Sequence, residues 1–273
     1  MNMKKLLKGI FLVVFFLFCG RVLLASYQEY KPGKKDLTLS SSPSLGDLDQ
    51  RETYVNLLQE ELSQDPDAEK IYQQKEVLPD KLLKLAACEK EARPFVLGFL
   101  EDNPSLALKS QDFSVESPLP YYAQWDRRWG YRAFSGGIMA THGCGPSSIA
   151  MVLEGLGIQV DPGDMANYIE KNVYLQDGYT SWKVFDGLVQ DYSVQVTSIP
   201  VDQIPDQLNQ GAYVVASLRR GNFTSTSHMV AIAGLDDQGR LIINDPNSVR
   251  NSKLHWQLPR IQSQIKNAWA IRK

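Results

Sequence analysis

Three short apolar runs in the second half of the chain predict a β-sheet. They are YVVASL (213–218), HMVAIAG (228–234) and RLIIND (240–245), and polar turn residues separate each run from the next. Runs of this length that contain Val and Ile and are bounded by turn signals are typical of buried strands. VQVTSIP (194–200) alternates apolar and polar residues and predicts an edge strand. Because short turns join the runs, we expect antiparallel pairing.

Helical patterns precede these strands. In THGCGPSSIAMVLEGLG (141–157) apolar residues recur at helical spacing from Ile149 to Leu156, and a glycine ends the pattern. A second helix is predicted after Asp161, which can cap it, with Pro162 in its first turn. Helices followed by an antiparallel sheet predict an α+β domain, which we place at residues 113–273.

The rest of the chain divides into three segments. Residues 1–26 begin with lysines and continue into GIFLVVFFLFCG, which predicts an export signal that is either cleaved or kept as a membrane anchor. Residues 27–46 are rich in Pro, Gly and Ser, which predicts a linker, and residues 47–112 have the apolar spacing of a small set of short helices. We therefore expect an extracytoplasmic protein, secreted or anchored to the outer face of the cell membrane.

Composition restricts the partners and the chemistry. The net charge of −2 gives no reason to expect nucleic acid as a partner. The chain has three cysteines, Cys19, Cys88 and Cys144, too few for a disulfide framework, although a bridge between the last two would abolish thiol chemistry. Neither a CxxC pair nor HExxH occurs, and no Gly-rich phosphate loop is present. We expect no metal and no cofactor.

Cys144 is the candidate nucleophile. It lies between Gly143 and Gly145, whose missing side chains would let a substrate approach the backbone, and Pro146 suits the first turn of the following helix. At a helix N-terminus, free N–H groups and the helix dipole lower the pKa of a thiol. The alternative interpretation is a buried structural cysteine.

A thiol nucleophile needs a base, and the chain has three histidines. His142 is so close to Cys144 in sequence that its ring would point away from the sulfur. His255 lies in a polar segment and is interpreted as an exposed or packing residue. His228 opens the run HMVAIAG beside a loop rich in Ser and Thr, from which it can project into a cleft. We take His228 as the base; a structural, hydrogen-bonded histidine is the alternative.

The hairpin that follows brings a carboxylate to His228. His228 and Asp245 are equidistant from the two aspartates of the turn LDDQGR (235–240), and residues equidistant from a tight turn face each other across the ladder. A slip of one residue reverses the face, so Asn244 is the next candidate. Asp245 would orient the imidazole and stabilise its charged form, or would only cap the turn that follows.

Two donors are available for an oxyanion. The backbone N–H of Cys144 is the first, as expected when a nucleophile begins a helix. The second is Gln124 in YYAQWDRRWGY (121–131), whose side-chain amide could point at the same oxygen. The aromatic residues of this stretch are interpreted as core or cleft-wall residues.

Together these stretches resemble the double-glycine, or bacteriocin-processing, peptidase-like family of the papain-fold cysteine peptidases. The matching pieces are YYAQWDRRWGY, GCGPSSIAMVLEGLG, TSW, HMVAIAG and INDPNS. The resemblance implies a papain-like fold in which a helix carrying the cysteine packs on an antiparallel sheet carrying His and Asp. It also implies that Cys144 is the nucleophile, His228 the general base and acid, Asp245 the orienting carboxylate and Gln124 the oxyanion donor.

The sequence therefore predicts an exported or membrane-tethered thiol hydrolase that cleaves peptide or isopeptide bonds. We expect a peptide or a cell-wall peptide as substrate, and a monomer. Two alternatives stay open: a non-catalytic cell-surface binding module that uses the same cleft, and a transglutaminase-like acyl transferase. The helices of residues 47–112 would either cover the cleft or pack behind the domain.

Overall fold

Most strands within residues 50–273 belong to one antiparallel sheet. The computed structural model describes residues 50–273, so the predicted signal or anchor (1–26) and linker (27–46) lie outside the described residues. In chain order the strands are β1 (Ala133–Phe134), β2 (Gly137–Ile138), β3 (Leu175–Gln176), β4 (Tyr179–Thr180), β5 (Gln195–Ile199), β6 (Tyr213–Arg219), β7 (Ser227–Leu235), β8 (Leu241–Asn244), β9 (His255–Trp256) and β10 (Ile265–Arg272).

The main sheet has the spatial order β5-β10-β6-β7-β8-β9, and β1–β2 and β3–β4 form separate pairs. The predicted strands β6, β7 and β8 and the predicted edge strand β5 are confirmed. Strand β10 was not predicted. It enters between β5 and β6 and pairs antiparallel with both. Because its partners are distant in sequence, no hairpin signal marks it.

The predicted helices are also present. In chain order they are α1 (Arg51–Gln59), α2 (Pro66–Gln73), α3 (Asp80–Cys88), α4 (Arg93–Leu100), α5 (Met139–His142), α6 (Cys144–Gly155), α7 (Pro162–Lys171), α8 (Val184–Asp191), α9 (Ile204–Asn209), α10 (Val249–Ser252) and α11 (Leu258–Ile261). Asp161 caps α7 by accepting the N–H of Asp164 at 2.8 Å, as predicted. Within residues 50–273 no helix has the length and apolar character needed to span a membrane. Helices combined with an antiparallel sheet confirm the α+β fold.

Helices α1 to α4 share a continuous apolar core with the sheet and its helices. Phe95 of α4 stacks on Tyr131, with ring centroids 4.1 Å apart, and the Tyr131 hydroxyl donates a hydrogen bond to the Phe95 carbonyl oxygen at 2.9 Å. Stacked aromatic pairs add to the stabilisation that burial alone provides. The proposed boundary between residues 112 and 113 stays a prediction.

A buried arginine fixes the arrangement of these N-terminal helices. Arg93 is 1% exposed, and its guanidinium forms ion pairs with Glu61, at 2.7 Å, and with Asp65. Its Nε donates a hydrogen bond to the carbonyl oxygen of Ala86, a residue of α3, at 3.0 Å. A buried charge is stable only when such partners surround it. The network therefore ties α3 to the neighbouring turns.

Candidate active site

Helix α6 holds Cys144 against strand β7. Residues 145–153 of this helix are buried on all sides, as expected for a helix that is apolar around its circumference. Ser148, one turn after Cys144, donates a hydrogen bond from Oγ to the carbonyl oxygen of Met229 at 3.0 Å. Met229 directly follows His228. The hydrogen bond therefore fixes the start of the helix beside the predicted base.

The glycines on either side of Cys144 serve packing within the protein. A Cβ atom at Gly145 would lie 2.3 Å from Thr180 Oγ1, and one at Gly143 would lie 2.5 Å from the carbonyl oxygen of Met139. The prediction that these two positions leave space for a substrate is therefore wrong, because protein atoms already fill that space.

Cys144 is the first residue of α6 and is partly exposed. Burial raises the pKa of its thiol, but hydrogen bonding to the His228 imidazole and the charge of that ring lower it by more. The backbone N–H groups of Met229 and Gly145 also favour the thiolate. The pKa of Cys144 consequently lies below its ordinary value, and the thiolate forms at a lower pH than in a free cysteine.

His228 is buried on β7 and contacts Asp245. The distance between His228 Nε2 and Asp245 Oδ1 is 2.7 Å. Burial lowers the pKa of the imidazole, but the charge and hydrogen bond of Asp245, together with Cys144, raise it to about 10. Because Nε2 contacts Asp245, Nδ1 is the ring nitrogen left for Cys144. The three residues are neighbours, and their catalytic roles stay predictions.

The predicted register of the β7–β8 hairpin is wrong, although the contact is present. The turn lies further along the chain than expected, between Asp236 and Arg240, whose backbones are hydrogen-bonded at 2.9 Å. A bulge between Ile232 and Gly234 shifts the pairing again. Ala231 pairs with Asn244, so Asp245 lies diagonal to His228 rather than opposite it. Diagonal neighbours share a face of the sheet, and long side chains in these positions can meet.

Asp245 is fixed by partners that the sequence did not indicate. Its Oδ1 accepts the N–H of Asn247 at 2.9 Å, and its Oδ2 accepts a hydrogen bond from Asn251 Nδ2 at 2.8 Å. Its backbone N–H donates to Ser252 Oγ at 2.8 Å, and its carbonyl oxygen accepts from the Tyr121 hydroxyl at 3.1 Å. The two donors to the carboxylate oxygens stabilise this fully buried group, and the two backbone hydrogen bonds fix the residue that directs it toward the imidazole.

Gln124 lines the same cavity as Cys144. Its Nε2 donates a hydrogen bond to the carbonyl oxygen of Ala140 at 2.7 Å, and its backbone N–H donates to the carbonyl oxygen of Pro246 at 2.7 Å. A side-chain amide has two N–H donors, so the second can serve another acceptor. The oxyanion role of Gln124 stays a prediction.

The other candidates from the sequence do not contact the His228–Asp245 pair. Asn244 Nδ2 donates to the carbonyl oxygen of Pro120 at 3.1 Å. His255 Nδ1 lies 2.8 Å from a carboxylate oxygen in the β7–β8 turn. His142 lines the cavity, but both of its ring nitrogens contact other side chains.

A cavity of about 330 Å³ joins the site to the N-terminal helices. Cys144 and His228 line it together with Lys81 and Cys88 of α3. Helix α3 therefore forms part of the cleft wall. The sequence alone did not decide whether the N-terminal helices lie at the cleft or behind the domain. Cys88 and Cys144 are both free thiols, and burial raises the pKa of Cys88 to about 11. Nothing in the sequence near α3 indicated that it lines this site.

Comparison with known proteins gives one family. Residues 117–273, more than half of the chain, match the model of the Peptidase_C39 like family. Among solved structures, the chain is similar to the peptidase domain of Streptococcus ComA, a bifunctional ABC transporter involved in a quorum-sensing pathway. The two share 18% sequence identity with a TM-score of 0.39, and the match covers 48% of this chain and 92% of that chain. The chain is also similar to a C39-like peptidase from Bacillus anthracis, at 16% identity, 48% and 89% coverage and a TM-score of 0.34. No curated protein sequence matches the chain.

Replacing His228 with Ala should slow alkylation of Cys144 by iodoacetamide at pH 7 by about tenfold or more, because the factors that lower the thiol pKa are lost while burial still raises it. The rate at Cys144 is measured by mass spectrometry of the modified peptide. His255→Ala is the matched control and should change the rate by less than about twofold, since His255 contacts Asp236 in the β7–β8 turn and does not line the cavity. Equal rates in the two variants would contradict this assignment.

Proposed function

The chain belongs to the Peptidase_C39 like family, and from this membership we propose that it is a cysteine peptidase that cleaves peptide or isopeptide bonds with Cys144, His228 and Asp245. The observation that carries the proposal is the 2.7 Å contact between His228 Nε2 and the buried Asp245 Oδ1, because His228 lines the same cavity as Cys144. A nucleophile, a base and a carboxylate that orients the base are the parts that acyl transfer requires.

The pKa values support a thiolate–imidazolium pair as the starting state. The pKa of Cys144 is lowered and that of His228 is raised to about 10, so a proton resides on the imidazole at neutral pH. The thiolate attacks the carbonyl carbon of the scissile bond. His228 then gives its Nδ1 proton to the leaving amine as the C–N bond breaks, and a thioester remains on Cys144.

The second half of the reaction uses the same residues. Neutral His228 takes a proton from water, the water oxygen attacks the thioester carbon, and the C–S bond breaks to release the acid and the thiolate. Asp245 keeps the imidazole in the tautomer that leaves Nδ1 toward the sulfur. Asn247 and Asn251 are positioning residues, since they act through the Asp245 carboxylate.

The negative oxygen formed by attack needs donors. The backbone N–H of Cys144 and the second N–H of Gln124 are the two that we propose. The hydrogen bond from Gln124 Nε2 to the Ala140 carbonyl oxygen supports this role, because it fixes the amide group before substrate binds.

Replacing Cys144 with Ala should abolish both peptide cleavage and labelling by a thiol-directed peptide probe. Cleavage is measured by mass spectrometry of a mixed peptide library, with cell-wall peptides included. Cys88→Ala is the matched control and should retain both signals, because the raised pKa of Cys88 keeps it as an unreactive thiol. Equal labelling of Cys144→Ala and the unaltered protein would contradict the proposal.

Replacing Gln124 with Ala should lower kcat by about a hundredfold, with a smaller effect on KM, because the donor acts on charge that develops in the transition state. Alkylation of Cys144 by iodoacetamide forms no oxyanion, so its rate should stay unchanged and serves as the control for an intact site. A kcat equal to that of the unaltered protein would remove Gln124 from the mechanism.

We propose further that the protein acts outside the cytoplasm, secreted or anchored to the outer face of the membrane. The lysines and the apolar stretch of residues 1–26 support this location. Fractionation of cells that express the full chain should recover it from the medium or the membrane, and deletion of residues 2–26 should retain it in the cytoplasm. Cytoplasmic recovery of the full chain would refute the location.

A further inference from the structure

Helix α3 brings a cationic side chain to the candidate nucleophile. Lys81 lines the cavity together with Cys144. Burial lowers the pKa of the Lys81 ammonium, and the charge of Cys144 raises it, so the two groups interact electrostatically across the cavity. The side chain is exposed and lines the cavity, so a substrate bound there can reach it.

The ammonium group is held by a neutral partner. Lys81 Nζ lies 2.8 Å from His142 Nε2, and His142 Nδ1 lies 2.9 Å from Thr141 Oγ1. Burial and the positive charge of Lys81 both lower the pKa of His142, so the imidazole stays neutral and accepts from the ammonium. An ammonium group has three donors, of which this contact uses one.

Neither carboxyl group that lines the cavity balances the charge of Lys81. Asp80 is paired with Arg51. Glu89 is 3% exposed, and burial and its hydrogen bond to a neighbouring carboxyl raise its pKa well above the ordinary range, so it resists ionisation. Among residues 50–273, no carboxylate forms an ion pair with Lys81. Lys81 and Cys144 therefore line one cavity in which no carboxylate of residues 50–273 neutralises the ammonium group.

We infer that Lys81 is a specificity-determining residue that binds a carboxylate of the substrate close to the scissile bond. The inference rests on the proposed peptidase function and narrows the substrate class to peptides with an acidic side chain or a free C-terminal carboxylate at that position. The two remaining donors of the ammonium would bind the carboxylate oxygens, and His142 would keep the side chain in place.

Iodoacetate and iodoacetamide test this inference without knowledge of the natural substrate. The two reagents alkylate a thiol in the same way, but iodoacetate carries a carboxylate where iodoacetamide carries a neutral amide. The measured quantity is the ratio of their second-order rate constants at Cys144 in the full-length protein, followed by mass spectrometry. Because both reagents respond equally to thiol reactivity, the ratio isolates recognition of the carboxylate.

Lys81→Met should lower the ratio of the iodoacetate rate to the iodoacetamide rate by about fivefold, the effect of removing one nearby opposite charge. Lys81→Arg keeps the charge and should retain most of the ratio. Lys90→Met is the matched control, since it removes the same charge from an exposed position outside the cavity, and it should leave the ratio unchanged.

The outcomes separate the two proposals. An unchanged ratio in Lys81→Met, with Cys144 still alkylated rapidly, would overturn the role of Lys81 and leave the peptidase proposal intact. An equal fall in Lys81→Met and Lys90→Met would also overturn it, because the effect would then be one of net charge. Slow alkylation of Cys144 by both reagents in the unaltered protein would defeat the peptidase proposal itself.

Discussion

The packing of helix α6 on strand β7 determines where the chemistry of this protein can occur. A thiol at the start of a buried helix and an imidazole near the start of a buried strand come together because the two elements pack closely. The hydrogen bond from Ser148 to the Met229 carbonyl fixes their relative position along the strand. A shift of one helical turn would separate Cys144 from His228, and burial alone would then raise the thiol pKa. The low pKa of Cys144 is therefore a result of tertiary packing more than of the helix end.

Much of the fold followed from local patterns. Apolar runs bounded by turns predicted β6, β7 and β8, and the cap and proline of α7 predicted its start. The family resemblance is confirmed by the match over residues 117–273. The approach of Asp245 to His228 was predicted from a register that is wrong. The contact occurs because the displaced turn and the bulge together preserve the face on which both side chains lie.

Other features depend on contacts between distant parts of the chain, which no local pattern encodes. The sequence near α3 marks an amphipathic helix, but its place along the cleft is set by the network around Arg93 and by the shared core. The sequence therefore does not distinguish Lys81 from an ordinary exposed lysine. The sequence likewise does not indicate a role for Asn251, because its hydrogen bond to Asp245 depends on how the chain turns back after β8.

Strand β10 has a consequence for how the protein is made. Strands β5 and β6 do not pair with each other, because β10 (residues 265–272) lies between them. Strand β5 pairs with β10 alone, whereas β6 pairs with both β10 and β7. A chain elongated only as far as β9 would leave β5 without a partner and one side of β6 open, and open strand edges favour association between molecules. Vectorial synthesis thus leaves the sheet unfinished until these residues emerge, so the nascent chain would need protection from aggregation.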